Sequence, residues 1–484
     1  MVGVGVVGVL LAVGVVAACS APQPLVPLPS SGEVVSVAPP DVAGPMRFRG
    51  RELVDGSGRV VQIHGVNSVA KAEPFVTPVS DGGLGPADLA ALDRDGVNGV
   101  RLGVWPAALM PATGLVDQAY LDRVRATVDA LAAHGIWVLL DLHQDVFNGM
   151  PAWATTPAAA GLDTTVPEGL GAIGWSAAYV TPRSLRQWDD WWSNAEVAPG
   201  LGVVDAYASG AAALAARMDD VPQVIGLELM NEPFPGTAVL SCVIGGCPDL
   251  DTVVRDRSTT ITDAIRAVSP QMPVWWEPEA MFPMYAEATM APPSVIPTAG
   301  GPGVGLSFHA YCLDTDGGEP VEPSIASVTW CDGRFGDAFG RALGLAGSWG
   351  APAMLTEFGA SRSPLNVTVP TRVADQQFLS WFHWAKGTYP SVVESQLVRT
   401  YAQATAGQPL EQQFEPATGA FRFRYRPDPG VTAPTSIVVP QRAYPTGYDV
   451  EVLGGTVTSA PDAGRLTVSA DGGAPEVTVV VHRR

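Results

Sequence analysis

Eight short apolar runs, separated by stretches of helical periodicity, constrain this chain more than any other feature of its sequence. They fall at residues 60–66, 99–105, 136–141, 224–229, 273–277, 304–309, 353–357 and 379–384. Runs this short, holding β-branched residues and lacking polar alternation, suit strands covered on both faces, the condition of a parallel sheet flanked by helices. Between them, residues 120–134 place Leu121, Val124, Val128 and Leu131 on one helical face, and residues 203–219 and 250–268 also read as helices. Eight strands alternating with crossovers predict an α/β fold, a (β/α)8 TIM barrel.

The pattern changes near residue 409. Beyond it, short alternating runs at 420–425, 435–439, 448–453, 465–469 and 475–481 are broken by Gly, Pro and Asp, as expected of a small C-terminal antiparallel β-sandwich. A chain of 484 residues is long for one domain, and the expected division is a barrel over 46–405 and a sandwich domain over 406–484. Residues 20–45, rich in Pro and Ser, read as a tether. Residues 1–19 form an apolar run that closes on Ala17-Ala18-Cys19, which reads as a lipoprotein-type signal of bacterial kind with Cys19 as the lipidated residue and membrane tether. No Lys or Arg precedes the run, a departure from that pattern. A membrane-spanning helix is disfavoured by the shortness of the run and its Gly and Val content. The expected location is the cell surface or the exterior. Gly3, Gly5 and Gly8 match a dinucleotide-binding spacing only formally, since no strand precedes them.

A net charge of −20 speaks against nucleic acid as a partner, while 47% hydrophobic content provides for a large core despite 53 glycines and 44 prolines. Export would favour disulfides among the cysteines that follow Cys19. Cys242 and Cys247 share one loop, Cys312 and Cys331 bracket another, and three connectivities are open. No His or Cys stands at ligand spacing beside them, so neither metal nor cofactor is expected.

The fourth run, Gly226-Leu-Glu-Leu-Met-Asn-Glu-Pro233, stops at a carboxylate, as a barrel strand does when it delivers an acid to the rim. Asn231-Glu232-Pro233 is also ordinary loop punctuation. The seventh run, Ala353-Met-Leu-Thr-Glu-Phe-Gly359, repeats the arrangement with Glu357. Two acids on strand ends are what cleavage of a glycosidic bond requires, one to protonate the leaving oxygen and one to attack or to activate water. Other strand ends carry Arg101, His143, His309, Tyr311 and Trp384. The stretch 144–182, rich in Gly, Ala and Pro, reads as a functional cover.

In this order and spacing the set resembles the family-five glycoside hydrolases (clan A). Barrels of that family carry an Arg on the second strand, a His after the third, Asn-Glu after the fourth, His-x-Tyr after the sixth, a Glu after the seventh and a Trp on the eighth. Asp141-Leu-His-Gln-Asp-Val-Phe147, Glu228-Leu-Met-Asn-Glu-Pro233, Arg399-Thr-Tyr-Ala-Gln-Ala-Thr-Ala-Gly407 and Tyr444-Pro-Thr-Gly-Tyr448 are similar to motifs of the endoglycoceramidase branch, with Arg-Thr-Tyr in place of its Arg-Pro-Tyr. The resemblance implies a retaining hydrolase that cuts the β-glycosidic bond between glycan and ceramide through a covalent glycosyl-enzyme intermediate. It makes Glu232 the general acid/base and Glu357 the nucleophile, about 5 Å apart, where the charge of one acid keeps a proton on the other. Asn231 would hold the sugar 2-hydroxyl, Tyr311 would hydrogen-bond the nucleophile and Arg101 would favour its ionised form. His143, Asp145 and His309 would bind hydroxyls or orient the carboxylates, and Trp384 would floor the first sugar site. The loop Asn67-Ser-Val-Ala-Lys71 matches more loosely and would bring Lys71 to the sugar.

Each of these residues also has a plain structural use. Arg101 could pair a barrel carboxylate, the histidines could be satisfied in the core, and Trp384 could pack; the ordered set is what argues for a site. An apolar landing surface for ceramide would come from Met150-Pro-Ala-Trp153, Ile173-Gly-Trp175 and Ala280-Met-Phe-Pro-Met-Tyr285, segments that could equally cover the barrel. The alternatives are an endo-β-glucanase or mannanase acting on an oligosaccharide or polysaccharide, and a non-catalytic sugar-binding surface lipoprotein. A monomer is expected.

Overall fold

The computed structural model describes residues 44–80, 83–168, 171–292, 303–312, 315–316, 319–320, 325–360, 363–387 and 391–484. Cys19, the signal segment and nearly all of the tether lie outside the described residues, as do the side chains of Ile173 and Trp175.

Eight parallel strands close into a barrel. They are β1 His64–Ser68, β2 Gly99–Val104, β3 Trp137–Leu142, β4 Val224–Glu228, β5 Val274–Trp276, β6 Val304–Ala310, β7 Ala353–Gly359 and β8 Ser380–Trp384. Neighbours in sequence are neighbours in the sheet, and β8 pairs β1 to close the ring. Helices Gln118–Ala133, Val203–Met218 and Pro248–Val268 occupy the three stretches that read as helical.

The run at 60–66 divides in two. Val60–Val61 pairs outside the barrel, and only after Gln62, whose N–H is held by the Gln403 carbonyl, does the chain enter β1. The reason is a change of hydrogen-bonding partner within one apolar run, which residue types alone do not mark.

The barrel interior is layered by the two-residue period of its strands. Ile63, Leu139, Ile225, Trp275, Met354 and Phe382 fill the bottom with Phe48 and Met46 from the chain ahead of the barrel. Glycines make room for the large rings. A Cβ on Gly65 would lie 2.2 Å from the Phe382 ring, and one on Gly305 would lie 2.4 Å from Trp275. Two residues further along several strands the layer turns polar, with Asn67, Arg101, Asp141 and Thr356 all buried.

Two antiparallel sheets face one another beneath the barrel. One runs Gly407–Glu415, Ala420–Pro427, Val477–Arg483, Tyr448–Leu453. The other has seven strands, in the order Arg47–Arg49, Glu52–Val54, Val60–Val61, Tyr401–Thr405, Thr435–Val438, Arg465–Ala470, Gly455–Val457. Phe421, Phe423, Tyr425, Ile437, Leu466, Val468, Val479 and Val481 form the core between them. Three strands of the larger sheet thus come from residues that precede the barrel.

The sandwich is fixed to the barrel floor by buried polar contacts. Arg399 donates to Asp375 at 2.8 Å, Gln412 donates to Gln62 at 2.9 Å, and His64 stacks between Trp381 and Tyr401. The motif tyrosine Tyr444 accepts from Thr400 and donates to the Gly419 carbonyl, both at 2.8 Å.

Candidate active site

Both strands that end in the expected acids carry a bulge. Opposite β3, Val224 pairs Val138 and Gly226 pairs Leu139, so Ile225 is an extra residue in β4. In β7, Phe308 pairs Leu355 and His309 pairs Glu357, leaving Thr356 extra. A bulge lets neighbouring residues face the same way. Thr356 Oγ1 donates to Glu228 while the adjacent Glu357 accepts from Arg101 Nη1 at 2.5 Å.

Arg101, fully buried in β2, organises the polar layer. Its guanidinium donates to Glu228, Asn67, Asn231 and Glu357 and lies 3.1 Å from Asp141. Burial alone would weaken its charge, but Asp141, Glu228 and Glu357 outweigh that and hold it firmly protonated. Glu357 also accepts from the Tyr311 hydroxyl at 2.7 Å. With two donors on it, this carboxylate has its negative charge well matched.

Glu232 sits just past β4 with φ of 43°, a left-handed conformation uncommon for a side-chain-bearing residue. Its backbone is tied on both sides. Its N–H donates to Glu277 Oε2 at 2.9 Å, and its carbonyl accepts from Gln144 Nε2 at 3.2 Å. Its carboxylate faces His309, whose Nδ1 lies 2.9 Å from Glu232 Oε1 and 3.7 Å from Glu357 Oε2. Carboxylate oxygens of Glu232 and Glu357 and a ring nitrogen of His309 all lie within 4.8 Å of one another. This separation suits a retaining glycosidase and leaves no room for the intervening water of an inverting one.

The two histidines of the site are held charged. Burial would lower His143, but Asp141, 2.6 Å from Nδ1, and Asp145, 3.5 Å from Nε2, push it up to about 9. His309 is likewise pushed to about 10, because Glu277, Glu357 and Glu232 outweigh its burial. Asp145 resists its own desolvation through His143 and Lys71 and sits well below the usual carboxylate range. Lys71 lies 2.6 Å from Asp145 and 4.8 Å from the centre of the Trp384 ring. Trp384 in turn stacks on His143 at 5.5 Å. Lys71, His143, Asp145 and Trp384 therefore form one wall, and Asn231, Glu232, His309, Tyr311 and Glu357 another, with Arg101 beneath both.

Four buried polar residues join the expected set: Asn67, Asp141, Glu228 and Glu277. Glu277 was legible, since it ends the fifth apolar run as Glu232 and Glu357 end theirs. Asn67 and Glu228 lie within strands, where the inward face depends on register and bulges. Glu228, Glu277 and His309 also have donor atoms within 4.8 Å of one another, a spacing a cation could use. Arg101 already supplies the positive charge for Glu228, and Cys242 and Cys247, near Glu279, are bonded to each other rather than free as thiolates. The second disulfide joins Cys312 to Cys331.

The segments expected to receive lipid divide. Met150, Phe282 and Met284 are buried in the barrel's outer core, and the Trp153 indole donates to the Met110 carbonyl, so these residues pack as cover. Tyr285 is exposed. Exposed apolar side chains also stand on helix Val239–Gly245, stapled by the Cys242–Cys247 bond, where Leu240, Val243 and Ile244 face solvent, Ile244 at 84%.

A parallel eight-stranded barrel with paired carboxylates at the C-terminal ends of β4 and β7 is the architecture of a glycosidase. The model described as cellulase (glycosyl hydrolase family 5) matches residues 54–392, and that of the glycoside hydrolase family 5 C-terminal domain matches 399–481. The chain belongs to glycoside hydrolase family 5. It is 37% identical over 446 residues to endoglycoceramidase I of Rhodococcus hoagii (strain 103S), covering 90% of this chain and 87% of that protein. Among solved structures, endo-glycoceramidase II from Rhodococcus sp. in its ganglioside GM3 complex superposes with a TM-score of 0.74 at 26% identity, over 91% of this chain and 100% of that one. The lactosyl-enzyme intermediate of the same protein gives 0.71 at 27% identity, over 89% and 99%.

Proposed function

We propose that this glycosidase cuts the bond between glycan and ceramide in glycosphingolipids with retention of configuration, using Glu232 as acid/base and Glu357 as nucleophile. The observation that carries the reading is the approach of the two carboxylates to within 4.8 Å, one of them already braced by Arg101 and Tyr311. The division of roles follows from exposure. The Glu357 side chain is 5% exposed and held by cationic and hydroxyl donors, as befits an attacking anion, whereas Glu232 at 21% can exchange its proton with water.

In the first step Glu357 bonds to the anomeric carbon while Glu232 gives its proton to the departing oxygen, so ceramide leaves as an alcohol. In the second, water gives a proton to Glu232 and its oxygen to the same carbon, and Glu357 is released as a carboxylate. Asn231, placed by Arg101 at 2.9 Å, serves the sugar 2-hydroxyl, and the wall of Lys71, Asp145, His143 and Trp384 receives the first sugar.

The lipid half of the reading is supported by the relatives named endoglycoceramidase and by the exposed Leu240, Val243, Ile244 and Tyr285 on loops that follow β4 and β5. Incubation with lactosylceramide should release disaccharide and ceramide. Cleavage of cello-oligosaccharides alone would replace this reading with the polysaccharide one. A mechanism-based 2-fluoroglycoside should label Glu357, and a label on any other residue would overturn the roles. The proposal includes a surface tether, with mass spectrometry of the mature N-terminus expected to find acylated Cys19; an unmodified chain retaining residues 1–18 would refute it.

A further inference from the structure

Glu277 is a buried carboxyl that the mechanism above leaves without a part. It follows β5 directly, is 6% exposed, and spends one oxygen on the N–H of Glu232 at 2.9 Å. Its other oxygen lies 3.5 Å from His309 Nδ1, the atom that faces the Glu232 carboxylate at 2.9 Å. It therefore touches the backbone of Glu232 on one side and the partner of its side chain on the other.

We propose that Glu277 is a positioning residue for Glu232, fixing the left-handed turn that aims the acid/base at the departing oxygen. The turn needs such a brace. A side-chain-bearing residue at φ of 43° is held there only when its surroundings over-determine it, and an amide N–H buried without an acceptor is costly. No other acceptor for this N–H is present among the described residues. Burial, together with the charges of Glu228 and Glu232, raises Glu277 well above the ordinary carboxylate range against the pull of His309 and Arg101. The Tyr179 hydroxyl, raised by burial and then by Glu232, senses Glu277 as well. Glu277 Oε2 can accept from the Glu232 N–H whether or not the carboxyl carries its proton, so the brace rests on geometry.

The proposal rests on Glu232 being the acid/base. Protonation matters most when the leaving group is a poor one such as the ceramide alkoxide, and little when it is a dinitrophenolate. Two variants separate the brace from simple packing: Glu277→Met keeps the volume and removes the acceptor, and Glu277→Gln keeps both. Glu277→Met is expected to lower kcat/KM on lactosylceramide about 100-fold, within the usual range for loss of acid catalysis, while kcat/KM on dinitrophenyl lactoside stays within about threefold. Azide, a nucleophile that needs no base, should restore kcat on the aryl substrate, and Glu277→Gln should recover most of the activity on lactosylceramide. Equal losses on the two substrates, or no loss on either, would overturn the proposal. If the methionine variant does not fold, Glu277→Gln decides alone: a loss beyond about tenfold on lactosylceramide overturns the role, and a smaller one supports it. A wild type inactive on both substrates would instead refute the reading of Glu232, a result distinct from variants that behave alike on an active enzyme.

Discussion

His143 and His309 carry charges that only their surroundings sustain. Each would titrate near 6.5 in the unfolded chain, and in the fold they are held at about 9 and about 10. The folded protein thus binds protons more tightly at both positions. Their contribution to stability is fully present below about pH 6.5 and is lost as pH rises through their folded values. The thermal midpoint is expected to fall between pH 7 and 10, and to fall less in His143→Gln; a midpoint that climbs over that range would contradict the charged pairs. At this scale the sequence was informative wherever a polar residue ends an apolar run, which is how Glu232, Glu357, His309 and Tyr311 stood out. Lys71 fitted its expected place only loosely by sequence, yet its bond to Asp145 brings it to the site. Asn67, Asp141 and Glu228 look, from residue type alone, like polar interruptions inside strands, and their direction is decided by register.

Strand β4 does more than carry Glu232 to the rim. Its extra residue lets Ile225 fill the barrel floor while Glu228, three positions on, still reaches Arg101. Gly226 makes that step possible. Its φ is +134°, and a Cβ there would lie 2.6 Å from the Pro273 carbonyl oxygen and 2.9 Å from the Trp275 ring. Gly226→Ala is therefore expected to cost about 2–4 kcal/mol by combined strain and overlap with backbone that cannot yield. Chemical denaturation would measure it, and a loss under 1 kcal/mol would mean that the bulge is not rigid. The eight strands were legible because burial on both faces leaves a continuous apolar run. The bulges in β4 and β7 were not, since an inserted Ile or Thr looks like any other strand residue.

At the scale of the whole molecule, the sandwich and the barrel share a floor. Arg399 and Asp375 are both about 1% exposed, and their 2.8 Å contact joins the chain entering the sandwich to the helix before β8. Removing one partner of a buried pair strands the other, so Arg399→Ala is expected to destabilise the protein by about 3–5 kcal/mol. Barrel and sandwich should unfold in one transition in the wild type; two separate calorimetric transitions would show the floor to be a weak seam. The antiparallel character of the sandwich could be read from its alternating strands. The recruitment of Arg47–Arg49, Glu52–Val54 and Val60–Val61 could not, because strands of two or three residues give no periodicity. That recruitment orders events during synthesis. The three strands can pair with one another at once, but Gln62 finds Gln412 only 350 residues later, so they meet the rest of their sheet only after the whole barrel has emerged from the ribosome.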